Sequence, residues 1–158
     1  MSTIHVLAYA FAIGVIAGLR AMTAPAVTCW AARLQWLNFA GTRLAFLGSA
    51  ITAYIFAALA IAEIINDKLP KTPSRLAPPS LLIRMVMGGF CGAAFCVAGG
   101  ASVVLGVLLG ALGGLAGAFA GYHVRKRLVK AFHAPDLIIA LLEDLVAVGG
   151  GFLLAFRI

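Results

Sequence analysis

Apolar residues in this chain come in continuous blocks of roughly twenty, with the polar residues gathered in the gaps, and a block of that length crosses ~30 Å of hydrocarbon as a helix. The pattern predicts membrane-spanning helices at about 4–27, 44–65, 82–99, 103–123 and 137–156. The third and fourth are separated by length: no residue between Met85 and Val124 is charged, a stretch too long for one crossing, and Gly99-Gly100-Ala101-Ser102 offers the turn. The expected fold is an all-α, polytopic membrane bundle of about five transmembrane helices. The first block passes into Gly18-Leu19-Arg20 instead of a small-residue cleavage site, so it reads as a retained span.

The gaps carry their own signals. Between Arg33 and Arg43, Trp36 and Phe39 sit beside arginines, a mixture suited to an interfacial turn. From Leu69 to Ser80 four prolines exclude regular helix, and Ser80 reads as the N-cap of a helix starting between Leu81 and Arg84. Pro135-Asp136 serves the last helix in the same way. Two glycine registers, Gly106-Gly110-Gly114 and Gly113-Gly117-Gly121, repeat every four residues and so present glycine-rich faces for close helix packing, within the chain or at a dimer seam. Spans one and two with their connector echo spans four and five with theirs. An offset of three spans makes such copies antiparallel, a weak inverted repeat of the kind that builds transporters.

Composition turns the pattern into a class. Of 158 residues 63% are hydrophobic and only 11% charged, and mean hydropathy is +1.08, which describes a single integral membrane domain over 1–158 embedded in a lipid bilayer. The net charge of +7 lies mostly in two segments that flank apolar blocks, so the positive-inside rule accounts for it without nucleic acid. Five spans put the loops after the second and fourth on one side, with Lys68, Lys71, Arg75, Arg84, Arg125, Lys126, Arg127 and Lys130 against Arg33, Arg43 and Arg157 on the other. That count places the N-terminus in the cytoplasm and the C-terminus outside. Cys29, Cys91 and Cys96 lack CxxC spacing, and His5, His123 and His133 lack ligand spacing, so neither metal nor cofactor is expected. Catalytic triads, nucleotide loops and HExxH are absent from the sequence.

Candidate chemistry therefore rests on charges inside apolar blocks, where a charged group costs ~2.5 kcal/mol or more and normally marks a polar site. Glu143 and Asp144 are adjacent in the last span, above the small residues Ala147, Gly150 and Gly151. Arg20 precedes Thr23 and Pro25, and a proline there leaves the Ala21 carbonyl without its helical donor. Glu63 and Asp67, four apart, stack on one helix face beside the proline-rich loop. With the N-terminus on the basic side, straight helices place Arg20 ~24 Å and Glu143 ~10 Å from that side, so either span one is broken or re-entrant, or the acids find Arg84, Lys68 or Lys71 at the cytoplasmic end instead.

The reading that absorbs most of these residues is a small transporter or channel, homo-oligomeric and most simply dimeric. Its path for an ion or small solute is lined by Glu143, Asp144, Arg20, Thr23, Pro25, Glu63 and Asp67. A lipid-handling protein or enzyme, holding a lipid phosphate through Lys68, Lys71, Arg75, Arg84 and Arg125, is one alternative; a structural subunit of a larger membrane complex is another.

Three stretches, Gly18 to Pro25 (GLRAMTAP), Asp67 to Arg75 (DKLPKTPSR) and Leu141 to Gly151 (LLEDLVAVGGG), together resemble a family of small bacterial inner-membrane proteins known as domain of unknown function 4126. The resemblance covers nearly the whole chain. It implies a helical protein of the bacterial inner membrane and carries no activity with it.

Overall fold

A computed structural model describes residues 2–67, 76–132 and 135–158. Among the described residues there are six α-helices: α1 Thr3–Leu19, α2 Thr23–Arg33, α3 Ala50–Asn66, α4 Pro78–Ala98, α5 Val103–Phe132 and α6 Asp136–Phe156. A single 3₁₀ turn, Ala45–Gly48, precedes α3, and the described residues contain no strand. Helices α4, α5 and α6 are long and apolar enough to cross a membrane, while α1 and α3 are shorter apolar helices.

Local chemistry sets most of these boundaries. Ser49 caps α3 by accepting a hydrogen bond from the Thr52 amide at 3.1 Å. Helix α4 starts earlier than expected, at Pro78, because two prolines in the first positions need no amide donor there. Ser80 is thereby inside the first turn and is not the cap; its Oγ instead accepts from Arg84 Nε at 3.3 Å. Gly100 turns the chain between α4 and α5 at φ 67°, a left-handed conformation that glycine adopts without strain. Helix α5 runs on through the basic segment, since arginine and lysine favour helix and no breaker intervenes before Pro135.

The first expected span is two helices. Arg20 is extended, with φ −141° and ψ 106°, and ends α1. Pro25 then falls in the first turn of α2, where its missing amide is harmless, so it helps to start a helix and does not end one.

Glycines decide how the helices meet. A Cβ built on Gly110 would lie 2.1 Å from the Gly88 carbonyl oxygen, one on Gly14 would lie 2.2 Å from the Gly110 oxygen, and one on Gly117 would lie 2.2 Å from the Val15 oxygen. Such distances bring α1, α4 and α5 backbone against backbone. The pairings Gly14 with Gly110 and Gly18 with Gly114 run in parallel, whereas Gly92 with Gly106 and Gly88 with Gly110 run in opposition. Helix α1 is therefore parallel to α5 and antiparallel to α4.

Helix α2 turns back along α6 and α3. Val27 packs on Gly151, the Trp30 ring meets Tyr54 at 5.6 Å, and Trp36 meets Phe156 at 5.2 Å. Helix α6 in turn is antiparallel to α1, with Gly150 against Ile16 and Asp144 against Arg20. The N-terminus of α1 and the C-terminus of α6 consequently share one end of the bundle, and the basic C-terminal turns of α5 lie at the other. This corrects the expected arrangement, in which the N-terminus shares a side with the basic loops. The reversal at Arg20 adds a leg that continuous hydrophobicity conceals.

Candidate functional site: an ion network at a helix break

Breaking α1 from α2 exposes carbonyls at the end of one helix and amides at the start of the other, and groups of this kind need partners when buried. Two side chains supply them. Arg84 Nη1 donates to the carbonyl oxygens of Gly18 and Leu19, both at 2.8 Å. The Glu63 carboxylate accepts from the amides of Ala21 and Met22, also both at 2.8 Å. Arg84 Nη2 and Glu63 Oε1 stand 3.7 Å apart, so the pair closes on itself. The cation sits at the carbonyl end and the anion at the amide end, as the helix dipoles favour.

Arg20 lies in the gap and is fully buried. Its Nη1 is 2.8 Å from Asp67 Oδ2 and its Nη2 is 2.6 Å from Asp144 Oδ1. Its Nε has no hydrogen-bond acceptor among the described residues. Arg125 of α5 forms the other centre. It grips Asp136 through Nε and Nη2 at 2.9 and 2.6 Å, and its Nη1 is 3.1 Å from Asp67 and 3.8 Å from Glu143. The chain has five acidic residues, and all five join this network with three arginines. All six helices meet there: α3, α4, α5 and α6 together with the end of α1 and the start of α2.

The network lies below the ends of the longer helices. Gly18 is level with Arg84 through their common neighbour Gly114, and Arg84 is six residues into α4, ~9 Å from its start. Asp144 is eight residues into α6, ~12 Å from its start. Beside the break, a cleft of about 640 Å³ opens between α3 and α4, lined by Met22, Glu63, Asn66, Ser80 and Arg84 among others.

Several sequence expectations meet here. Arg20 and the acids of the last span come together, through Asp144 and not through Glu143, which faces Arg125 instead. The condition set for that meeting, a broken span one, is the one the structure shows: α1 ends before Arg20 and the chain reverses into α2. Glu63 and Asp67 share a helix face and serve different centres, the break and the two arginines. Thr23 is 2% exposed and its hydroxyl has no hydrogen-bond partner among the described residues. Arg84, expected near headgroups, is 5% exposed and holds α1. Lys68, Lys71 and Arg75 fall outside the described residues. Asp136 joins the network although the sequence marked it only as a helix start; its signal was its spacing of seven from Glu143, which puts both on one face. Among the described residues no three His, Cys, Asp or Glu side chains are grouped to hold a metal ion.

Residues 7–157 match the family described as Domain of unknown function (DUF4126). The chain belongs to this family. Searches of curated proteins and of solved structures give no match. Two of the three stretches that carry the family resemblance, Gly18 to Pro25 and Leu141 to Gly151, supply Arg20, Glu143 and Asp144, and the third begins with Asp67. Segments far apart in the chain of this DUF4126 protein thus converge on one buried cluster.

Proposed function

We propose that this DUF4126 protein is a small membrane transporter or channel for an ion or small solute, with the charge network as its selective constriction. One observation carries the reading: a helix broken inside the bundle, with its freed backbone groups and the buried Arg20 held by charged side chains from other helices. Discontinuous helices with ionisable partners are how many transporters build a binding site, and ionisable groups at this depth are expensive unless used. The path combines Glu143, Asp144, Arg20, Glu63 and Asp67, with Thr23 and Pro25 at the start of the returning helix.

Orientation and assembly belong to the same proposal. The basic end of α5 faces the cytoplasm by the positive-inside rule, which puts both termini outside the bacterial inner membrane. Homo-oligomerisation, most simply a dimer, completes a path that one short chain encloses poorly. Gly110 and Gly117 of α5 are already occupied by α4 and α1, so the seam uses other faces.

Reconstitution in proteoliposomes loaded with ion-sensitive dyes tests the reading. The wild-type protein is expected to admit a proton or alkali-cation flux, and Glu143→Gln with Asp144→Asn to abolish it. A flux untouched by these changes removes the acids from the mechanism. Vesicles no more permeable than empty ones would favour a second reading, in which pairing every acid with an arginine serves as a clamp between helices.

A further inference from the structure

A second feature of the bundle lies on its lipid-facing side. Helices α1, α5 and α6 leave between them a groove of about 330 Å³, almost wholly apolar, along Leu19, Val124, Leu128, Ile139 and Leu142. It extends along α5 from Ala120 to Leu128, eight residues or ~12 Å, in the direction an acyl chain takes through a leaflet. Arg125 and Glu143 of the charge network also line it.

At the Leu128 end of the groove the helix turns basic. Lys126, Arg127 and Lys130 are exposed on the last turns of α5, and Arg127 follows the groove residue Val124 by three positions on the same side of the helix. Arg125 is engaged by Asp136, Asp67 and Glu143, and every acidic residue of the chain is in the network. Lys126, Arg127 and Lys130 form no ion pair among the described residues. Arg127 therefore stands beside the apolar groove with no acidic partner, while Lys126 and Lys130, on the opposite face of α5, add to the positive potential at this end of a membrane helix. Clusters of this kind attract anionic headgroups, each cation near the surface strengthening binding about fivefold.

We infer that the groove between α1, α5 and α6 is a binding site for an anionic phospholipid. Its acyl chain lies against Val124, Leu128, Ile139 and Leu142, and its phosphate faces Arg127, within the positive potential that Lys126 and Lys130 raise at the same helix end. A zwitterionic lipid fits the groove equally well and lacks the net charge these cations attract. The bound lipid touches Arg125 and Glu143, so it adjoins the ion network; the site itself does not depend on the transport reading.

Purified protein equilibrated with vesicles of equal phosphatidylglycerol and phosphatidylethanolamine, then analysed by native mass spectrometry, provides the test. Phosphatidylglycerol should be retained several-fold over phosphatidylethanolamine. Arg127→Gln should lower that preference about fivefold, and the triple change Lys126→Gln, Arg127→Gln, Lys130→Gln should erase it. Val124→Trp, which fills the groove from a lipid-facing position, should displace the lipid while leaving the helical circular dichroism unchanged. Equal retention of the two lipids, or a preference that survives the triple change, overturns the inference. Retention unaffected by Val124→Trp overturns the seating of the chain, and displacement by inorganic phosphate alone would reassign the site to a free anion.

Discussion

Replacing Arg20 by alanine is the severest single test of the network. The guanidinium is fully buried, with carboxylate oxygens at 2.8 and 2.6 Å. At an effective dielectric constant of 20, each contact is worth about 6 kcal/mol of gross Coulomb attraction, most of it offset by the cost of burying the charges. Deleting one partner removes the attraction and leaves the burial cost, which in comparable pairs destabilises by about 3–5 kcal/mol. Asp67 keeps Arg125 at 3.1 Å, which places the expected loss near the lower end. Cys29, Cys91 and Cys96 are all buried and free, so a thiol-reactive fluorophore reports unfolding in detergent directly. A loss of about 3 kcal/mol lowers Tm by roughly 6–12 °C for a domain of this size. Arg20→Met combined with Asp144→Leu should be more stable than the sum of the single changes predicts, by about 1–3 kcal/mol. A Tm for Arg20→Ala within about 2 °C of wild type would refute the buried ion network.

Other consequences are open to the same and simpler assays. Gly110→Ala sets a methyl group 2.1 Å from a carbonyl of α4, where backbone must move, and should cost about 3 kcal/mol or more, whereas Gly149→Ala meets open space and should leave Tm unchanged. Both are read in the thiol assay, and equal effects would refute backbone contact between α4 and α5. Topology is checked by impermeant maleimide on intact cells, with Ser2→Cys expected to label from outside and Lys126→Cys only after permeabilisation. Labelling of both from the same side would refute the hairpin of α1 and α2.

The helical membrane class was legible because twenty apolar residues in a row have few other stable solutions, and the turn at Gly99 to Ser102 followed from length alone. Helix starts were misjudged at Ser80, where two prolines begin the helix themselves. The break at Arg20 was half legible: the charge and Pro25 marked the place, yet the flanking residues Ala21 and Met22 are good helix formers. What holds the chain open there is Glu63 on their amides, 41 and 42 residues away, and Arg84 on the carbonyls before them, 65 and 66 residues away. Local propensity contains no trace of such partners.

The same division holds for the site. The sequence by itself determined that Arg20, Glu143 and Asp144 need an explanation, because a charge in hydrocarbon is costly wherever it points, and the spacing of Glu63 from Asp67 put both on one face. Which acid meets which arginine was decided only by the tertiary structure. Pairing depends on depth, depth on the direction of each helix, and that direction on one reversal at Arg20 stabilised by residues from α3 and α4.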